Sequence, residues 1–164
     1  MKNGIFLSLG TNLGDRAAHL RTAEEKLVGR GIEIVGRSGV YETEPWGLRE
    51  QPPFLNTVLQ VRTALVPAAL MEALLSIERE MGRQRDSSAP NAPRTIDLDL
   101  LFYHQQVMAT PALALPHPRL HERNFVLYPL VELAEPFEHP VLKKTVGELL
   151  WACTDPSEVI LIQD

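Results

Sequence analysis

Between Ile96 and Leu100 the chain alternates apolar and acidic residues: Ile96, Leu98 and Leu100 have one parity, Asp97 and Asp99 the other. In a strand successive side chains point to opposite faces. Both carboxylates therefore leave from one face, about 7 Å apart along the backbone, while the apolar set points into a core. Aspartate is a poor strand former, and two like charges on a core strand repel and resist desolvation. A chain with this segment must build a sheet whose second face meets something that compensates for the acids. A hard divalent cation does so, because Mg²⁺ favours one or two carboxylates completed by phosphate oxygens. The plain alternative is a solvent-facing strand edge with two ordinary acids.

The remaining patterns supply the partners of that strand, which reads as Arg94 to Phe102. Ile5–Leu9 is a short apolar strand and Gly10–Gly14 a turn. Asp15 caps a helix with Ala18, Leu20, Ala23 and Leu27 on its apolar face, stopping near Gly29 and Gly31. Ile32–Tyr41 is extended. Thr43–Pro53 is a loop holding Pro45, Trp46, Pro52 and Pro53, and Leu55–Thr63 is a strand. Pro67 suits the first turn of a second helix, whose stripe is Leu70, Leu74, Ile77 and Met81. Residues 82–93 form a polar loop, and Val107–Leu115 a short hairpin. Arg123–Ala134 is helical, with Pro129 restricting where its first turn can lie. Thr145 and Glu148 make a capping box for a last short helix, and Val159–Ile162 is a final strand or tail. The order strand, helix, strand, strand, helix, strand predicts an α+β fold, a ferredoxin-like βαββαβ two-layer sandwich with a helical C-terminal extension. Residues 1–164 read as one domain.

A net charge of −5 argues against a general nucleic-acid binder, though a local basic cluster suffices for a small anion. Arg79, Arg83, Arg85 and Arg94 form such a cluster. Arg83 and Arg85 open the polar loop and Arg94 closes it. At the strand's beginning, a guanidinium can offer phosphate its planar fork. Ordinary pairing with Glu78 and Glu80 is the plain reading of either loop arginine alone. The one cysteine, Cys153, excludes an internal disulfide. The N-terminus has no long apolar run and no segment is apolar enough to span a membrane, so a cytoplasmic location is expected. Gly10–Asp15 lacks the Gly-Lys-Ser/Thr ending of a phosphate loop and reads as a tight strand-to-helix turn. His117 stands between Pro116 and Pro118, and neutral histidine can donate to phosphate or bind a metal. Phe54 and Phe125 are aromatics near the polar Asn56 and Arg123.

Taken in order, Leu7–Asp15, Tyr41–Pro45, Phe54–Asn56, Ile77-Glu78 with Gly82-Arg83, Pro93–Leu101, Pro116–Arg119 and Arg123–Leu127 resemble the 6-hydroxymethyl-7,8-dihydropterin pyrophosphokinase family of folate biosynthesis. The resemblance implies a kinase, usually monomeric, that moves the terminal diphosphate of ATP to the pterin's hydroxymethyl oxygen and releases AMP. It implies two Mg²⁺ ions on Asp97 and Asp99, with Arg83 and Arg94 on the phosphates and the transferring group. Glu78, Arg85, Ile96, Leu100, His117 and Arg123 fall on the ATP side. Phe54 and Phe125 match the two rings that sandwich the pterin, and Asn56 the side chain that reads its polar edge. Thr43, Pro45 and Trp46 match the lining of that pocket.

The chain departs from the family's habit in the loop before Arg94, where Pro90 and Asn91 replace a basic residue and a tryptophan. Pro118, Leu75 and Trp46 are further departures, and none falls on the two acids. A non-catalytic ferredoxin-like module that binds a nucleotide or metal is the competing reading. Another Mg²⁺-dependent phosphotransferase on the same fold is a third.

Overall fold

The computed structural model describes residues 1–44, 51–82 and 95–163. Strands β1 (Ile5–Thr11), β2 (Glu33–Arg37), β3 (Val40–Thr43), β4 (Phe54–Arg62), β5 (Asp97–Tyr103) and β8 (Val159–Gln163) make one six-stranded sheet. Its order is β5-β1-β4-β3-β8, with β2 also paired to β4, and every pairing is antiparallel. The hairpin expected at 107–115 is β6 (Met108–Ala109) with β7 (Ala114–Leu115). Helices α1 (Arg16–Gly29) and α2 (Pro67–Glu80) cover one face of the sheet, and α3 (Asn124–Ala134) and α4 (Val146–Ala152) part of the other.

Local chemistry sets the helix ends. Asp15 accepts the backbone N–H of Ala18 at 3.1 Å. At the other end of α1, Gly31 takes a φ of +76°, which a side chain would resist. That turn lets Ile32 N–H reach back to the Leu27 carbonyl and Gly31 N–H to that of Val28. Thr145 and Glu148 form the full reciprocal capping box of α4.

Two apolar clusters flank the sheet. Leu20, Ala23 and Leu27 of α1 and Leu70, Leu74 and Ile77 of α2 meet Leu7, Leu9, Leu59 and Leu98. On the opposite face Val126, Leu127, Leu130 and Leu149 meet Phe6, Val58 and Phe102. Each such leucine or phenylalanine contributes about 1.5–3 kcal/mol on full burial. This second cluster covers only part of its face. Further along, β1, β4 and β5 present Ser8, Gly10, Asn56, Asp97 and Asp99 instead, and these line a pocket.

Several expectations shift. Gly10 and Thr11 remain in β1, so the turn begins later than Gly10. The extended stretch 32–41 splits into β2 and β3, both laid along β4, with Ser38 N–H bonded to the Val58 carbonyl between them. The strand expected from Arg94 starts at Asp97 and runs to Tyr103; Arg94 itself lies outside the described residues. Pro129 falls inside α3, past the first turn, where it has no N–H to give the Phe125 carbonyl. In β5, Leu100 pairs with Leu7 and Phe102 with Phe6, leaving Leu101 as an extra residue. This bulge puts Leu101 and Phe102 into the same cluster.

Candidate active site

The pocket lies where the sheet face turns polar, next to the N-terminus of α3. Asp97 and Asp99 project from β5, opposite Gly10 and Ser8 of β1. Asn56 and Phe54 come from β4, Thr43 and the following Glu44 from the end of β3, Arg123 from the N-cap of α3, and Phe125 and Val126 from its first turn. The strand register explains the set, since β1, β4 and β5 show the same parity at the same height. The pocket thus joins the two β5 carboxylates, a third from Glu44 at its rim, two aromatic rings, an amide and a guanidinium.

Asn56 is 4% exposed and donates from Nδ2 to Thr43 Oγ1 at 2.8 Å. Its Oδ1 lies over Gly10, where an added Cβ would sit 3.0 Å from it. Glycine at position 10 keeps the pocket floor open and leaves that amide oxygen in place. The Arg123 guanidinium carbon is 5.8 Å from the Phe125 ring centroid, within cation–π range.

His117 borders the acids. Its backbone N–H bonds to the Leu101 carbonyl at 3.0 Å, which fixes it along the outer edge of β5. Nδ1 accepts the Arg119 N–H at 3.2 Å, so the ring proton belongs on Nε2, which is 3.7 Å from Asp99 Oδ1. Burial pushes this histidine down to about 4, helped by the Arg123 and Arg119 charges and opposed by Asp97. The ring is therefore neutral at physiological pH and presents a donor, not a charge.

Asp97 and Asp99 fit a hard cation completed by ligand oxygens, while no cluster of three or more His, Cys, Asp or Glu occurs among the described residues. Of the residues singled out in the sequence, Thr43, Phe54, Asn56, Asp97, Asp99, Arg123 and Phe125 meet in this one pocket. Pro45, Trp46, Arg83, Arg85 and Arg94 lie outside the described residues. The side chains of Ile96 and Leu100 do not reach the pocket. They are 0% and 2% exposed, in the cluster beneath the sheet, so any ATP contact from either would come through backbone. Glu78 is buried on α2, where Oε2 accepts the Leu98 N–H at 2.8 Å. Ser8, Gly10, Glu44 and Val126 were not expected in the lining. The alternation of Leu7 and Leu9 with Ser8 and Gly10 was the signal for two of them.

No helix among the described residues is long and apolar enough to cross a membrane. A model of the 7,8-dihydro-6-hydroxymethylpterin-pyrophosphokinase (HPPK) family matches residues 6–135. The chain is 43% identical over 155 residues to the 2-amino-4-hydroxy-6-hydroxymethyldihydropteridine pyrophosphokinase of Methylorubrum extorquens, covering 94% of this chain and 95% of that one. It is 40% identical over 137 residues to the folic acid synthesis protein fol1 of Pneumocystis carinii, covering 84% of this chain but only 18% of that protein. The HPPK-DHPS chain of Plasmodium falciparum, solved as a triple mutant with STZ-DHP, shares the fold. Its TM-score is 0.70 at 16% identity, covering 92% of this chain and 43% of that one. The chain belongs to the 7,8-dihydro-6-hydroxymethylpterin-pyrophosphokinase family.

Proposed function

We propose that the pocket binds 6-hydroxymethyl-7,8-dihydropterin between Phe54 and Phe125 and that the chain, as a monomer, transfers the terminal diphosphate of ATP to it. The observation that carries this reading is one pocket holding both rings, the Asn56 amide and the two β5 carboxylates. A flat heterocycle gains from aromatic walls on its two faces. Its amide-like edge, once desolvated, needs matched partners, and Asn56, held by Thr43, supplies them in a fixed orientation.

In the reaction the hydroxymethyl oxygen attacks the β-phosphorus, a new O–P bond forms, and the bond from that phosphorus to the α,β-bridging oxygen breaks. AMP leaves with the bond's electron pair, and the hydroxyl proton passes to solvent water. Such transfers need alignment and positive charge more than covalent help. Asp97 and Asp99 would hold two Mg²⁺ ions, which would neutralise the phosphate chain and acidify the attacking hydroxyl. Arg123 supplies a fixed cation beside Phe125. Neutral His117 offers an N–H donor next to Asp99 without adding a charge. By the family resemblance, Arg83, Arg85 and Arg94 would act on the phosphates, and Pro45 and Trp46 on the pterin.

Incubating the chain with Mg²⁺, ATP and the reduced hydroxymethyl pterin should give AMP and the pterin diphosphate in equal amounts. Formation of ADP, or no turnover, rules the proposal out.

A further inference from the structure

Arg123 and Phe125 flank Asn124, the first residue of α3, and that helix begins with no side-chain cap from Arg123. The cap comes from a distant part of the chain. Asp155 Oδ2 accepts the Asn124 backbone N–H at 3.1 Å, placing a carboxylate on an otherwise unpaired N–H at the helix's positive end. Asn124 is 7% exposed, and its Nδ2 donates to the Asp155 carbonyl at 3.1 Å and the Ser157 carbonyl at 2.7 Å. Asp155 Oδ1 closes the group by accepting the Ser157 N–H at 2.9 Å. Asn124 Oδ1 is buried with no hydrogen-bond partner among the described residues. An orphaned buried acceptor is costly, so the site tolerates it for the sake of the two bonds the amide nitrogen makes.

We infer that Asn124 and Asp155 are positioning residues: a clasp from the C-terminal segment that fixes the first turn of α3 and so holds Phe125 ready for the pterin. The inference rests on the proposed role of Phe125 as a wall of the pterin site. Asp155 and Ser157 lie beyond residues 6–135, the stretch that the family model matches. The clasp is thus supplied by a part of the chain outside the matched segment. Neither residue touches the pocket. Both act through the backbone of the residue between two that do.

The test uses the full chain with Mg²⁺ and a non-hydrolysable ATP analogue, titrated with fluorescent 6-hydroxymethylpterin. Urea unfolding of each variant confirms that it is folded. Asn124→Ala and Asp155→Ala should raise the pterin Kd roughly three- to tenfold, the loss expected when an aromatic wall must be ordered at binding. Asp155→Asn, which keeps an acceptor oxygen and its own carbonyl, should recover most of that loss. In a Phe125→Ala background the Asn124→Ala effect should vanish, because the two act through the same ring. An unchanged Kd in the folded single variants overturns the clasp, as does an undiminished effect in the Phe125→Ala background. The underlying reading of the pocket fails separately, if Phe125→Ala alone leaves the pterin Kd unaltered. Should Asp155→Ala not fold, Asn124→Ala and Asp155→Asn decide the matter by the same measurements.

Discussion

Consider replacing Glu78 by alanine. Strand β5 is the outer strand of the sheet, so among the described residues no neighbouring strand receives the N–H of Leu98 on its open side. Glu78, 2% exposed on α2, receives it at 2.8 Å. Leu98 lies between Asp97 and Asp99, so this bond pins the backbone that aims both acids. Alanine would strand a buried donor, for about 1–3 kcal/mol. It would also leave a small void, bringing the total to about 3 kcal/mol. For a chain of this length that is roughly a 6–12 °C fall in Tm. Glutamine keeps an acceptor oxygen and should cost about 1 kcal/mol. Calorimetry on the two variants, with AMP production measured well below each Tm, tests this. The expected outcome is a destabilised Glu78→Ala with depressed kcat, and a Glu78→Gln close to the parent in both. If Glu78→Ala melts like the parent yet has a raised KM for ATP, Glu78 is a ligand contact and the strand-anchoring account is wrong.

Other expectations are more local. Asp97→Ala and Asp99→Ala should each lower kcat by several orders of magnitude while leaving the urea midpoint near the parent's, since metal-assisted charge stabilisation is worth several kcal/mol; near-normal turnover in both would remove the metal assignment. His139 accepts the N–H groups of Val141 and Leu142 at Nδ1, and burial, aided by His121, pushes it down to about 4. The unfolded chain therefore takes up this proton first. The resulting stability is complete above about pH 6.5 and is lost as pH falls towards 4, by about 3 kcal/mol. His139→Asn, which keeps an acceptor but cannot titrate, should flatten that part of the urea-derived stability profile, and an unchanged slope would contradict it. Thr145→Ala removes one half of the α4 capping box and should cost about 1 kcal/mol in urea unfolding with no change in turnover.

Features with a local cause were legible in the sequence. Asp15 and Thr145 cap helices because a short polar side chain reaches N–H groups within one turn. The parity of Asp97 and Asp99 against Leu98 and Leu100 is a covalent consequence of extended backbone, and both acids reach the pocket. Phe54, Asn56 and Phe125 were identified by resemblance, and the fold brings them together. What escaped depends on distant partners. Glu78 looked like a surface or ligand acid because nothing near it in sequence marks it as the receiver of the Leu98 N–H. Gly10 looked like a turn because its strand character comes from pairing with Asn56 and Asp97. Asn124 and Asp155 meet only once α4 and β8 have folded back over α3. Leu100-Leu101-Phe102-Tyr103 is apolar at every position, so no parity change could announce the bulge.

That bulge lets one strand keep two schedules. Before Leu101, even-numbered residues face the α1–α2 side and odd-numbered ones the pocket; after it the assignment is exchanged. With an unbroken period of two, Phe102 would share the side of Leu98 and Leu100, and the second cluster would lose its largest β5 ring. Alternatively the acids would turn inward to satisfy Phe102. The extra residue uncouples these demands, so the chemical end of β5 and its anchoring end can be altered independently. Phe102 thus seats against Phe6 and Phe137 on the same side of the sheet that Asp97 and Asp99 face further along β5.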